Sequence, residues 1–168
     1  MNYDKLKNKY ERQYKLSMLV GCTLIVVGGI VIGTQIITSI LLGLMGISLL
    51  ATARRNHVKN LGEIEKIESK DAFNNSMANS LMDMPEFSLY VSDKYVISEL
   101  KGLKVYVLKD MKKFEVGIAG DKKKSLFLTD KYGMRHEIAG TVKGDKRQKS
   151  FDQVYFKIKD IFDNKKYR

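Results

Sequence analysis

Hydrophobic and polar positions divide this chain sharply. From Leu16 to Ala53, 38 consecutive positions carry no Asp, Glu, Lys or Arg, and a soluble core rarely leaves so long a stretch uncharged. One helix of that length would run about 57 Å, nearly twice the roughly 30 Å hydrocarbon core of a bilayer, so the stretch is expected to double back. Its least apolar place is Gly33-Thr34-Gln35, a flexible glycine followed by two side chains that can meet water or headgroups. This predicts spans over Leu16 to Ile32 and Ile36 to Ala53, each about the minimum crossing length.

From Asn56 to Asp83 apolar residues recur at near three-and-four spacing (Leu61, Ile64, Ile67, Phe73, Met77, Leu81), which predicts a helix or helix pair ending before Pro85. Its polar face carries Glu63, Glu65, Glu68 and Asp71, whereas membrane-surface helices favour Lys and Arg there, so a connector lying on the following domain is expected.

After Pro85 the pattern shortens to runs rich in Val, Ile, Tyr and Phe between Gly, Asp and Lys turns. Six strands are predicted, near Phe87 to Val91, Lys94 to Glu99, Leu103 to Leu108, Lys112 to Ile118, Ser125 to Thr129 and Met134 to Ile138. Alternation is expected to put Phe87, Leu89 and Val91 on one face, continued by Tyr95 and Ile97. Ser150 is a candidate N-cap, and Phe151, Val154, Tyr155, Ile158, Ile161 and Phe162 mark a final amphipathic helix that would cover the sheet. The expected class is α+β, in four parts: a basic segment (1–15), a transmembrane hairpin (16–53), a helical connector (54–84) and a β domain with its helix (85–168).

The hairpin Leu89 to Ser98, the strand from Gly102 to Leu108 leading into Lys109-Asp110-Met111-Lys112-Lys113-Phe114-Glu115-Val116, the hairpin Leu126 to Glu137 and the single terminal helix resemble the bacterial pleckstrin-homology-like domains. The resemblance covers about half the chain, Pro85 to Phe162, and rests on pattern and order. Domains of that family often follow a pair of transmembrane helices, and the complete pleckstrin-type barrel has one strand more than the pattern here predicts. The resemblance implies a binding or scaffolding module and brings no catalytic residues.

Charge sets the orientation. The net charge of +11 divides as +3 before the apolar stretch and +8 after it. Lys5, Lys7, Lys9, Arg12 and Lys15 precede the first span and Arg54, Arg55 and Lys59 follow the second, against an uncharged turn. By the positive-inside rule both termini are expected to be cytoplasmic, at the inner membrane. A cleaved signal peptide would explain the basic start and Ala51-Thr52-Ala53, but the apolar stretch is too long and two arginines follow it at once.

Chemistry is sparse. The one cysteine, Cys22, lies within the first span, and neither His57 nor His136 has metal-ligand spacing, so no zinc site is expected. No phosphate-binding glycine loop or nucleophile elbow occurs, and no enzyme activity or cofactor is expected. The spans hold no ionisable group to line a transport path. Gly29 with Gly33 and Ser39 with Gly43 are small-xxx-small pairs suited to close helix packing.

What stands out is basic surface: Lys122, Lys123 and Lys124 in one turn, Lys143, Lys146, Arg147 and Lys149 before the last helix, and Lys165, Lys166 and Arg168 at the end. Such residues suit anionic lipid headgroups or a protein partner, while nucleic acid is disfavoured for want of a helix-turn-helix or base-stacking motif. The functional expectation is a membrane-anchored, non-catalytic interaction or scaffold module. The alternative is an accessory subunit of a membrane transport or secretion complex, with partner helices or a second copy packed on the small residues.

Overall fold

The computed structural model describes residues 1–80, 82–100, 102–119, 123–142 and 148–165, an α+β chain. It divides into a helical unit, Tyr3–Ile64, and a second unit made of Met1–Asn2 and Glu65–Arg168.

The helical unit is an antiparallel pair, α1 (Tyr3–Val31) and α2 (Ile36–Ile64). The reversal falls where polarity predicts it: the amides of Thr34 and Gln35 both donate to Val31 O at 3.0 Å, closing the first helix. Both helices run past the apolar stretch. α1 takes in almost the whole basic segment from Tyr3, and α2 continues through Arg54 and Arg55 to Ile64, absorbing the first part of the expected connector. Each helix is long and apolar enough to cross a membrane, and only 11% and 17% of their most apolar windows are buried. So much apolar surface facing outward is the inverse of a soluble core helix and fits an integral membrane protein.

In the second unit, Ser69 caps α3 (Lys70–Ala78) by accepting from the Ala72 amide. Four short strands follow, β1 (Met82–Met84), β2 (Leu89–Val91), β3 (Tyr95–Ser98) and β4 (Lys104–Val107), in an antiparallel sheet of that order. Then β5 (Met111–Ala119), β6 (Lys123–Asp130) and β7 (Arg135–Val142) form a second antiparallel sheet, and α4 (Gln148–Lys165) closes the described chain.

The described residues thus hold seven strands, one more than alternation predicts. The extra one, β1, lies just before Pro85, too short to show a period. α4 opens at Gln148, so Ser150 sits inside its first turn rather than capping it. The face expected for β3 is also reversed. Val91 pairs with Val96 and Tyr90 with Ile97, so Val96 joins Leu89 and Val91 in the core, while Tyr95 and Ile97 point the other way. All four β3 residues are nevertheless buried, because the second face is covered too: the Phe73 ring of α3 meets Tyr95 edge-on at 5.3 Å.

The core gathers from both sheets and α4: Leu89, Val91 and Val96 from the first sheet, Leu126, Leu128 and Ile138 from the second, and Phe151, Val154 and Ile158 from the helix. Phe87 meets Phe151 at 6.3 Å, and Phe114 lies near Tyr155 at 5.7 Å and Phe162 at 6.1 Å, so one helix seals both sheets.

Phe151 should therefore be the costly position on α4. Phe151→Ala is expected to lose about 3–5 kcal/mol in denaturant unfolding, whereas Phe156→Ala, at a position 65% exposed, should lose under about 0.5 kcal/mol.

Candidate functional site

Between α1 and α2 the contact is made by small residues spaced seven apart. Gly21 and Gly28 on α1, and Ser39, Gly46 and Ala53 on α2, are buried. A Cβ at Gly28 would stand 3.0 Å from Ser39 O, and one at Gly46 would stand 2.8 Å from Gly21 O, so backbone lies against backbone. Ser39 Oγ donates to Gly28 O at 2.6 Å, a buried bond between the helices. Of the four sequence-predicted packing residues, Ser39 lies in this seam. A Cβ at Gly29, Gly33 or Gly43 would meet nothing within 4 Å, which leaves those three with open space beside them. Pairs at four-residue spacing reach the seam at Ser39; the seven-residue repeat of small residues, Gly21 to Gly28 and Ser39 to Gly46 to Ala53, marks its whole length.

The seam continues beyond the apolar spans. Tyr14 and His57 stack with ring centroids 4.0 Å apart and planes 11° apart, and His57 Nδ1 is buried with no hydrogen-bond partner. The stack sets Lys15 on α1 and Arg54 and Arg55 on α2 near one level. Lys5, Lys9 and Arg12 line a shallow groove along α1 together with Asn8, Gln13 and Leu16.

On the sheet unit, Lys124 is exposed on β6 between Ile118 and Thr141, Lys123 opens that strand, and Lys149 is exposed in the first turn of α4. Lys122, Lys143, Lys146 and Arg147 lie outside the described residues, as do Lys166 and Arg168. Lys165 ends α4.

His136 does find a carboxylate. Its Nε2 lies 3.0 Å from Asp130 Oδ2, and its ring sits 5.4 Å from that of Tyr106. Asp130 is committed to the β6–β7 turn: Oδ1 accepts from the amides of Tyr132 and Met134, each at 2.9 Å, while Gly133 takes the left-handed conformation that the turn requires (φ 86°). The hydrogen bond to His136 and the two amides hold the Asp130 carboxyl below the usual carboxylate range, against the opposing effect of burial. The geometry around Asp130 is that of a turn, with the carboxylate bridging two amides and the His136 ring. Among the described residues no cluster of three or more His, Cys, Asp or Glu could hold a metal.

A second polar cluster escapes sequence reading. On the outer face of the second sheet the Arg135 guanidinium lies 3.7 Å over the Phe127 ring, and its Nε is 2.8 Å from Glu115, which Lys113 also meets at 2.5 Å. The hydrogen bond from Lys113 and the nearby Arg135 charge hold the Glu115 carboxyl below its ordinary value. Gly117 makes the stack possible, since a Cβ there would stand 2.3 Å from the guanidinium. Only the pairing of Glu115 with Phe127, and of Phe127 with Glu137, brings these residues together, and register is not written in strand periodicity.

Comparison with known proteins gives no match: no family model, no curated protein and no solved structure matches the chain.

Gly46→Leu should force the helices apart at a cost of about 1–3 kcal/mol, read as a lower unfolding midpoint in detergent, while Gly29→Leu should leave that midpoint unchanged. Asp130 stabilises the fold fully above the ordinary carboxylate range and loses that contribution as pH falls through its lower folded value. Asp130→Asn is therefore expected to reduce stability near neutral pH and to flatten its decline below about pH 4, checked by unfolding across a pH series.

Proposed function

We propose that this chain is a membrane-anchored, non-catalytic interaction module of the pleckstrin-homology-like kind, presenting its basic sheet unit at the cytoplasmic face to a protein partner or to anionic lipid headgroups. The observation that carries the reading is the unbroken passage of α1 from its basic turns into its apolar span. The described residues hold seven strands in sheets of four and three, followed by a helix, and this supports the likeness to the pleckstrin-type barrel.

Orientation follows from charge held at a fixed height. Arg12, Lys15, Arg54 and Arg55 lie within about 6 Å along the axis of the span ends, inside the roughly 8 Å screening length of physiological salt. Lys5 stands about 16 Å beyond Leu16 and adds little. Each engaged cation is favoured by about 1 kcal/mol beside an anionic inner leaflet, and the uncharged turn between the spans offers no competing anchor. The lysines of the sheet unit extend the same affinity to lipid or to an acidic partner.

A second reading, an accessory subunit of a transport or secretion complex, is favoured by the open space beside Gly29, Gly33 and Gly43. A foreign helix could approach closely there without disturbing the hairpin's own seam.

Topology is the first test. A Cys22→Ser, Tyr132→Cys chain should react with a membrane-impermeant maleimide only after the cells are permeabilised; labelling of intact cells would overturn the proposal. For the lipid arm, the full chain in anionic nanodiscs should protect the start of β6 and the first turn of α4 from hydrogen exchange more than in neutral ones. Equal protection removes lipid and leaves the protein partner. Loss of co-purifying proteins in Gly29→Leu, Gly33→Leu would select the subunit reading.

A further inference from the structure

β5 is the longest strand of its sheet and stands at an edge: β6 pairs along one side, and among the described residues no strand pairs with the other. An unpaired edge turns alternate N–H and C=O groups outward, a template that a second extended strand completes. Proteins ordinarily defend such edges with lysines, bulges or brevity. Here the defences stand at one end, where Lys112 and Lys113 coincide with a register shift between Met111 and Lys113. From Phe114 onward the strand is regular and its core-side residues run out of the core. Phe114 packs against α4, Val116 is 43% exposed and Ile118 is 76% exposed.

We infer that β5 is a self-association surface, through which two copies of this chain pair edge to edge and antiparallel about a two-fold axis at Val116. The strand is nearly self-complementary about that residue. In this register Phe114 of one copy lies opposite Ile118 of the other and Val116 lies opposite itself, so one face of the joined sheet is apolar across the junction. On the other face Glu115 comes opposite Gly117 of the second copy. That is the glycine over which Arg135 lies, with a Cβ position only 2.3 Å from the guanidinium. Each Glu115, which already meets Arg135 and Lys113 of its own chain, therefore also faces the other copy's Arg135, and the symmetry repeats this shared arrangement twice. Lys113 falls opposite Ala119.

Charge and hydrogen bonding together select this occupant. A bilayer would leave the outward backbone groups unpaired, and hydrocarbon offers them no hydrogen bond. A second β5 satisfies those groups and sets each Glu115 beside a second arginine at the same time. One strand pair is a small interface, of the size that gives weak, reversible association in solution. Copies held in one membrane meet at higher effective concentration.

The test uses the full chain in membrane vesicles on a Cys22→Ser background. Val116→Cys should form a disulfide-linked dimer under mild oxidant at least about fivefold faster than Tyr132→Cys, a control on the β6–β7 turn that is 78% exposed. Adding Ile118→Lys, at a position exposed enough to leave the fold intact, should cut the Val116→Cys yield by about fivefold. Glu115→Arg and Arg135→Glu should each cut it alone, and mixing the two variant chains should restore it, because each then faces its opposite charge. Equal rates for Val116→Cys and Tyr132→Cys overturn the inference, as does a yield that Ile118→Lys leaves unchanged.

Discussion

The closeness of α1 to α2 is the constraint on which the anchor depends. Lipid is as apolar as leucine, so nothing hydrophobic pushes two spanning helices together; they hold by dispersion and by hydrogen bonds across the contact. Glycine on one helix and Gly, Ser or Ala on the other bring the main chains near enough for both. Ser39 then spends its hydroxyl on Gly28 O, where a polar group facing hydrocarbon would otherwise stand unsatisfied. With Gly21, Gly28, Ser39, Gly46 and Ala53 committed inward, bulky residues such as Ile30, Ile37 and Leu41 are left outward.

The sheet unit solves a different problem. The strands of its first sheet are only three or four residues long, and both sheets have an apolar face to cover. α4 joins them, giving Phe151 to the side of Phe87 and Tyr155 and Phe162 to the side of Phe114. α3 does the same for the opposite face of β3, where Ser76 Oγ donates to Asp93 Oδ1 at 2.5 Å and lies 2.8 Å from Ser92 Oγ. Lys109, hydrogen-bonded to Glu68, ties the stretch before α3 to the turn after β4.

Much of this was legible from residue pattern. The uncharged run, the turn at Gly33-Thr34-Gln35, the strand-rich second half and the stripe from Phe151 to Phe162 follow from periods of 3.6 and 2 and from polarity. What escaped was whatever depends on pairing. Val91 opposite Val96 decides which side of β3 faces the core, and Glu115 opposite Phe127 assembles the cluster under Arg135. Both are fixed by turn geometry and bulges rather than by composition. β1 escaped for a simpler reason: Met82-Asp83-Met84 is too brief to display alternation. In the hairpin the informative spacing was seven; the four-residue pairs found Ser39 but not its repeat through Gly46 and Ala53.

α1 has no break between Tyr3 and Val31, and α2 none between Ile36 and Ile64. The stem outside the apolar stretch, about 20 Å long on the α1 side, is therefore a rigid continuation of what lies in the bilayer. A lever of that length converts a tilt of the intramembrane part into sideways travel of its far tip, about 3 Å for every ten degrees. Local membrane thickness, which sets tilt, is in this way mechanically coupled to the position of Tyr3 and Ile64.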